Sequence, residues 1–130
     1  MSIDKNDLFY TDEHEWIQVL GEDTVRIGIT DYAVEQLGDI VFVEMPETGS
    51  EAIQKEEFGT VESVKSSSEI YAPVSGTILT VNEALDGEPE LMNDSPFGEG
   101  WLVEIQTPGP FSKEGLLSYN EYQDFLKTLD

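Results

Sequence analysis

The chain has 130 residues, and its 28 acidic and 6 basic side chains give a formal net charge of -22. This length favours one domain around one core, and a hydrophobic content of 38% is enough to fill that core. The charge argues against nucleic acids and anionic membranes as partners, because no basic surface is available to neutralise phosphates. The absence of cysteine excludes disulfides, thiolate catalysis and cysteine metal sites. The N-terminus has no secretory or transit pattern and no segment could span a membrane, so we expect a cytoplasmic protein.

The first predicted elements are a hairpin and a short helix. Trp16–Leu20 and Thr24–Ile29 are apolar runs that alternate with polar residues and are joined by a Gly-Glu-Asp turn. Thr30 or Asp31 can cap one or two helical turns that end at Gly38, where a left-handed residue is often found.

The middle of the chain predicts further strands. Ile40–Met45 is an almost continuous apolar run, which is typical of a central strand. Gly59–Val64 and Gly76–Val81 share the pattern Gly, Thr, aliphatic, any residue, hydroxyl, Val, although the match is too short to establish a duplication. Glu69–Val74 lies between them as another strand candidate, and Lys65 stands where the first segment ends.

The last third predicts one strand and one helix. A turn-rich region with a possible helical turn at Pro89–Met92 precedes the strand Trp101–Gln106. Ser118 and Glu121 have the spacing of a capping box, in which each side chain satisfies a free backbone N–H group at the start of a helix. Apolar residues recur behind it at intervals of three and four, so we predict a C-terminal helix over about 119–129.

Few residues of the chain point to catalysis. Pairs of carboxylates are unavoidable among so many acids, and the lone histidine, His14, is better explained as a structural or solvated residue than as a metal ligand. Calcium-loop, phosphate-loop, dinucleotide-binding and serine-hydrolase motifs are all absent from the sequence. The composition therefore favours a protein that is not an enzyme.

Lys65 is the strongest candidate for a functional residue. A lone lysine on an acidic surface is most often a solvated charge. Here, however, it lies between two predicted strands, in a run of serines that can form side-chain turns. A tight connection would present it at the tip of a hairpin, where a protruding amine on a rigid base can anchor a swinging arm.

Several segments resemble, in order and at the same spacing, those of the H-protein family of the glycine cleavage system. They are Y-T-D-E-H-E-W-I, V-R-I-G-I-T-D-Y-A, Q-L-G-D-I-V-F-V-E-M-P, F-G-T-V-E-S-V-K, E-S-V-K-S-S-S-E-I-Y-A-P-V-S-G-T-I, N-E-A-L and P-F-G-E-G-W-L. The resemblance runs from about Tyr10 to the C-terminal helix. It departs mildly in two places: Ser66, Ser67 and Ser68 replace a more usual alanine-containing run, and Phe97 stands where tyrosine is common.

The resemblance implies the fold and a covalent cofactor. The fold would be mainly β: a flattened barrel or sandwich of two antiparallel sheets, of the lipoyl and biotinyl type, with short helices and a C-terminal helix. Residues 1–130 would form a single lipoyl-carrier domain, with the lysine-bearing hairpin at about 59–81. Lys65 matches the lysine that carries lipoate in amide linkage, on an arm of roughly 15 Å from Cα to the sulfurs.

The resemblance also implies a role as the mobile substrate of three enzymes. The arm would take the aminomethyl group of glycine at the pyridoxal-phosphate glycine decarboxylase (P protein). It would present that group to the tetrahydrofolate-dependent aminomethyltransferase (T protein) and be reoxidised by the FAD-dependent dihydrolipoyl dehydrogenase (L protein). A lipoylating enzyme is a fourth partner, and we expect a monomer with no metal.

Two acids match positions in a cleft that shelters the loaded arm in the family. Glu15 matches the acid of the H-E-W segment, and Glu69 falls where an acid commonly follows the lysine. A carboxylate at either position could pair with the protonated amine of the cargo.

Other lysine-attachment functions stay open from the sequence. Biotinyl carriers flank the lysine with methionines, whereas Val64 and Ser66 flank Lys65. Lipoyl domains of 2-oxoacid dehydrogenases are shorter and lack the H-E-W segment and the C-terminal helix. A lipoyl-relay protein, which donates lipoate to 2-oxoacid dehydrogenase subunits, is compatible with the same fold.

Overall fold

The computed structural model of the chain describes residues 5–129, which form nine strands and four α-helices after a 3-10 turn at Lys5–Asp7. The strands are β1 Phe9–Tyr10, β2 Glu15–Val19, β3 Thr24–Ile29, β4 Ile40–Glu44, β5 Glu51–Ala52, β6 Glu57–Ser63, β7 Ser67–Tyr71, β8 Gly76–Val81 and β9 Val103–Gln106. The helices are α1 Asp31–Leu37, α2 Ala84–Gly87, α3 Leu91–Asp94 and α4 Tyr119–Lys127.

The strands form two sheets. One has six strands in the order β1-β2-β3-β9-β8-β5, and the other has three in the order β4-β6-β7. All pairs of named strands are antiparallel. The prediction of a mainly β fold with two antiparallel sheets is confirmed, in the form of a sandwich, because the sheets do not close into a barrel.

The main core lies between the two sheets. Ile17, Ile27 and Ile105 from the larger sheet and Val61 and Ile70 from the smaller one belong to a single cluster of buried apolar side chains. The period of two along each strand sends alternate residues into this layer, so burial of their apolar surface holds the sheets together.

A second buried cluster joins the larger sheet to the C-terminal helix. Trp16 and Tyr10 pack there with Tyr122 of α4, and the Trp16 indole N–H donates to the Pro96 carbonyl at 3.0 Å. The helix itself begins as predicted, with a complete capping box between Ser118 and Glu121. It ends at Lys127, two residues before the predicted end.

Two predictions in the middle of the chain are wrong. Ile40–Met45 was predicted as a central strand, but β4 is the edge strand of the three-stranded sheet, with Val41 and Phe42 exposed. A continuous apolar run does not distinguish a doubly buried strand from an edge strand with an exposed apolar face. The lysine hairpin predicted over 59–81 consists only of β6 and β7, because β8 pairs within the other sheet.

The helices are short. α1 is capped by Thr30, as predicted, and the Thr30 side chain accepts from the Ala33 N–H group. Gly38 follows the helix with a positive φ of 86°, but its ψ of -157° is not that of the left-handed residue expected there. The helical turn predicted at Pro89–Met92 overlaps α3, whereas α2 was not predicted from the sequence. No helix among residues 5–129 is long and apolar enough to cross a membrane.

Candidate functional site

Lys65 lies at the tip of the β6–β7 hairpin and is exposed. The Ser63 hydroxyl closes the turn by accepting from the backbone N–H groups of Lys65 at 3.2 Å and Ser66 at 3.1 Å. The Ser63 N–H group in turn donates to the Ser66 carbonyl at 2.8 Å. One serine side chain thus satisfies the turn from within, and the lysine side chain is left free to protrude.

A loop between α1 and β4 supports this tip. The Val64 N–H group donates to the Asp39 carbonyl at 3.0 Å, and the Lys65 side chain passes over Gly38. A Cβ atom at position 38 would lie 3.0 Å from Lys65 Cε, so a larger residue would require the lysine side chain to shift. Gly38 also has the positive φ that other residues adopt at a cost.

Asn93 of α3 fixes this loop with both ends of its side-chain amide. Its Oδ1 accepts from the Ile40 N–H group at 2.9 Å, and its Nδ2 donates to the Gly38 carbonyl at 3.0 Å. Since Gly38 and Asp39 contact the hairpin tip, Asn93 connects the base of Lys65 to the helical side of the molecule.

The Lys65 amine has no ionic partner among the described residues. The ion pairs found there are Lys5–Asp31, Arg26–Glu104 and Lys127–Asp124. Lys55 and Lys113 resemble Lys65 in this respect, so an unpaired amine alone does not mark the site. Only Lys65 also lies at a braced hairpin tip.

Glu15 is a buried acid at the start of β2, only 2% exposed. Its Oε2 accepts from the Tyr71 N–H group at 2.9 Å, and its Oε1 accepts from the Thr11 hydroxyl at 3.2 Å. Tyr71 ends β7, the free edge of the smaller sheet, so this carboxyl group joins the two sheets.

The surroundings of Glu15 favour its neutral form. Burial raises its pKa to about 8; the hydrogen bonds from Tyr71 and Thr11 oppose this rise, while Glu13 and Asp12 add to it. The described residues place no cation beside it. A buried carboxyl group with neutral donors and acidic neighbours can accept an incoming cation.

Glu15 and Glu69 line the same narrow groove, of about 40 Å³, between the free edge of β7 and helix α1. The remaining lining residues are mostly apolar: Glu13, Ile29, Ala33, Leu37, Val61, Ser68 and Ile70. Glu69 is exposed and accepts from the Tyr71 hydroxyl at 3.0 Å. Leu37, which lines the groove, is the neighbour of Gly38, and the Lys65 side chain passes over Gly38.

A larger cavity of about 340 Å³ opens on the other side of Glu15. Thr11, Lys55, Pro73 and Leu117 are among its lining residues, and none of the residues that brace Lys65 lines it. The smaller groove is lined by Ser68, Glu69 and Ile70 of β7, the strand that follows the hairpin tip, so it is the one nearer to Lys65 along the chain.

Four residues of the site went unassigned from the sequence: Thr11, Asp39, Tyr71 and Asn93. Asp39 and Tyr71 act through backbone groups, which carry no residue-specific signal. Thr11 lies in the segment Y-T-D-E-H-E-W-I, four residues before Glu15, and this short separation could have suggested a contact. Nothing in the sequence around Asn93 connects it to a loop more than fifty positions away.

A sandwich of two antiparallel sheets with one braced lysine at a hairpin tip is the architecture of lipoyl- and biotinyl-type domains. Comparisons with known proteins narrow this class to one family. The sequence profile of the glycine cleavage H-protein family matches residues 8–129. The chain therefore belongs to that family.

Individual relatives agree with this result. The glycine cleavage system H protein of Halalkalibacterium halodurans is 51% identical over 121 residues, covering 93% of this chain and 94% of its own. That of Mycolicibacterium vanbaalenii is 54% identical over 112 residues, or 86% of each chain. The crystal structure of a glycine cleavage system H protein from Mycobacterium marinum superposes with a TM-score of 0.86 at 39% identity, covering 94% of this chain and 98% of its own.

Proposed function

We propose that the protein is the lipoyl carrier of the glycine cleavage system and that Lys65 carries lipoate in amide linkage. The observation that supports this best is the unpaired, exposed lysine on a braced hairpin tip, from which β7 leads along a groove that a buried acid lines. In this role the chain itself is no enzyme. It acts as a monomer and moves the aminomethyl group of glycine from the decarboxylase to the aminomethyltransferase, and its reduced arm to the dehydrogenase.

The dimensions of the site fit a lipoyl arm. Five residues separate Ser66 at the tip from Tyr71 at the Glu15 end, which is about 17 Å along an extended strand. An arm of roughly 15 Å from the Lys65 Cα would therefore end close to the Glu15 carboxyl group. The groove has room for a small end group but not for the whole arm, so most of the arm would lie along the surface of β7.

When bound, lipoate supplies a disulfide that accepts the aminomethyl group, while pyridoxal phosphate, tetrahydrofolate and FAD are held by the partner enzymes. The residues of this chain would hold and shelter the cargo. Glu15 would receive its cationic amine, because a buried carboxyl group gains most from an opposite charge that enters its own low-dielectric site. Ala33, Leu37 and Ile70 would exclude water, and Glu69 would contact the arm nearer to the tip.

The attachment site can be tested by intact mass after incubation with a lipoylating enzyme. We expect the mass of one lipoyl group on the wild type and on Lys55→Arg and Lys113→Arg, and none on Lys65→Arg. The two control lysines also lack ion pairs among the described residues, so they separate position from availability. A lipoyl group that persists in Lys65→Arg would refute the assignment.

The carrier role can be tested by reconstitution with the cognate enzymes. Lipoylated wild type should support glycine cleavage and glycine–bicarbonate exchange, and Lys65→Arg should support neither. If the lipoylated protein fails in both reactions but passes lipoate to a 2-oxoacid dehydrogenase subunit, the carrier proposal is wrong and relay replaces it.

The proposed contact of Glu15 has its own test. Glu15→Ala should shorten the lifetime of the aminomethyl-loaded protein, because the amine would lose its partner and water could enter the space left behind. An unchanged lifetime would show that Glu15 does not hold the cargo.

A further inference from the structure

The surface beside Lys65 carries an exposed apolar patch, formed by Val41, Phe42 and Val64, which we name the tip patch. Val64 is 67% exposed, more than any other large apolar side chain in the described part of the chain. Val41 and Phe42 are 53% and 47% exposed. Scattered apolar residues are normal on a surface, but three together at one site commonly mark an interaction surface.

The strand register brings the three side chains together. Phe42 lies opposite Glu62, and Ile40 lies opposite Ser63, so a bulge leaves Val41 without a partner in β6. Bulges often redirect a side chain. Val64 follows β6 directly, and its N–H group binds the Asp39 carbonyl just ahead of β4. Val43 and Val61 point into the core, whereas the tip patch lies on the outer face.

The position of the tip patch exposes the isolated protein to unwanted association through an edge strand. β4 is an edge strand, and exposed apolar side chains on an edge favour unwanted pairing between sheets. Packing within the chain does not require Val41, Phe42 or Val64 to be apolar, because most of each side chain is in solvent. A partner that covers them would explain their apolar character.

Distance identifies which partner must contact the tip patch. The Lys65 amine is about five bonds from its Cα, or roughly 6 Å, so an enzyme that forms a bond to this nitrogen must reach the hairpin surface. Enzymes that act on the far end of an arm work roughly 15 Å away and can leave the neighbours of Lys65 uncovered. The attaching enzyme is therefore the one that cannot avoid Val64 and Phe42.

We propose that the tip patch is the docking surface for the enzyme that joins lipoate to Lys65. This inference rests on the proposed function. In the bond-forming step the neutral Lys65 amine attacks the carbonyl carbon of an activated lipoyl donor held by that enzyme. The amide C–N bond forms, the bond to the leaving group breaks with its electron pair, and the amine gives its proton to a base of the enzyme.

The charges around the tip patch define the chemistry of the partner. Exposed acids at Asp39, Glu44 and Glu62 surround the apolar centre. A complementary surface would place an apolar depression inside a rim of lysines and arginines. Such an enzyme would bind the rim by charge and select the lysine by the apolar contact, which would distinguish Lys65 from the exposed Lys55 and Lys113.

The test compares two reactions of the same variants. Phe42→Gln and Val64→Thr are made singly and together, with Ile53→Thr as a matched control that is 53% exposed and lies outside the tip patch. Initial rates of lipoyl attachment are followed by intact mass at limiting protein concentration. Fully lipoylated samples, prepared with excess enzyme, are then assayed for reduction of the lipoyl disulfide by dihydrolipoyl dehydrogenase with NADH as the two-electron reductant, the reverse of the reoxidation reaction.

We expect the double variant to lose about ten-fold in kcat/KM for attachment, as at other apolar contact centres, while Ile53→Thr stays at the wild-type rate. Reduction by the dehydrogenase should stay within about two-fold of wild type for all variants. An unchanged attachment rate, or an equal loss in both reactions, would overturn the docking assignment. Failure of the wild type to accept lipoate would instead refute the proposed function.

Discussion

Glu15 shows how one residue acquires its properties from both sheets. Strict alternation along β2 would place it opposite Trp16 and in solvent, yet both are buried. Trp16 is covered from the side of α4 and Glu15 by the edge of β7. The resemblance singled out Glu15 as a candidate, but the sequence did not predict its burial, because the covering strand lies more than fifty positions away.

The burial of Glu15 makes stability depend on pH. Its pKa of about 8 in the folded state is above the ordinary value of 4.5, so between these two values the unfolded chain loses a proton that the folded protein keeps. This contribution to stability is complete below pH 4.5 and falls as the pH rises to about 8. One pKa unit corresponds to about 1.4 kcal/mol, so the change from pH 5 to pH 8 amounts to about 3 kcal/mol.

Glu15→Gln should remove this dependence. The amide has the same shape: its oxygen can accept from the Tyr71 N–H group, and its nitrogen can donate to the Thr11 hydroxyl. Chemical denaturation should therefore show the variant gaining stability over wild type as the pH rises from 5 to 8. Glu88→Gln removes the same charge from an exposed position that does not contribute to the pKa of Glu15, and it should leave the slope unchanged. Parallel pH profiles for wild type and Glu15→Gln would mean that Glu15 is ionised in the folded protein.

His14 is held as a neutral base by the C-terminal helix. Its Nδ1 lies 2.9 Å from the Tyr122 hydroxyl, which also lies 2.8 Å from the Thr30 hydroxyl. Thr30 accepts from the Ala33 N–H group, and its own hydroxyl proton can be donated to Tyr122, which leaves the Tyr122 proton for donation to His14. A protonated Nδ1 could not accept from Tyr122. The sequence favoured a structural or solvated role, and this network favours the structural one.

The pKa of His14 should be below 6.5. Burial lowers it, and Asp12 opposes the shift only in part. The unfolded chain then takes up a proton before the folded one does, so this contribution is present above pH 6.5 and is lost as the pH falls towards the folded pKa. Because His14 is the only histidine, an NMR titration of the imidazole protons measures it directly. A midpoint at or above 6.5 would contradict the network.

Short elements were predicted where the signal is local and missed where it is not. The capping box of α4 and the Thr30 cap of α1 depend on a few neighbouring residues, and both are present. Helix α2, Ala84–Gly87, has no side-chain hydrogen bond from its N-cap residue Glu83 and contains a glycine, so it depends on contacts with the rest of the fold. Sheet membership likewise depends on distant partners.

The two Gly-Thr segments illustrate the difference. Thr60 pairs with Glu44, and Thr77 pairs with Gln106. In each case a Cβ atom on the preceding glycine would collide with the carbonyl oxygen of that partner residue. The shared sequence pattern thus corresponds to a shared need for close backbone approach, although the two strands lie in different sheets.

Asn93 should stabilise the loop that supports the hairpin tip at Lys65. Asn93→Ala removes its hydrogen bonds to Ile40 and Gly38 and should lower the free energy of unfolding by about 2 kcal/mol. Amide exchange of Val64 should speed up more than that of residues in β9, because Val64 binds the loop that Asn93 holds. Asn120→Ala, on the exposed side of α4, is the control and should change neither quantity. Equal acceleration throughout the protein would show a general loss of stability only.

The arrangement of the two sheets creates the site. β6 and β7 carry Lys65 on the smaller sheet, β2 carries Glu15 on the larger one, and the groove follows the line where β7 leaves its edge unpaired. No local pattern encodes this line. The place of Lys65 at a hairpin tip could nevertheless be predicted, because it follows from the two flanking strands alone.

The net charge of -22 should make the folded protein less stable at low salt. The described residues contain three ion pairs, of which only Arg26–Glu104 is largely shielded from solvent, so most acids experience repulsion without a compensating partner. At about 10 mM salt the screening length is ~30 Å, comparable to a small domain, whereas at about 0.5 M it is only a few ångströms. The acids of the compact folded protein therefore repel each other more strongly at low salt than they do in the expanded unfolded chain.

We expect Tm to rise by several degrees between about 10 mM and about 500 mM NaCl. KCl at equal concentration should give the same rise, since screening depends on ionic strength and not on the cation. A Tm that falls with salt would mean that Arg26–Glu104 and the surface pairs outweigh the repulsion among the acids.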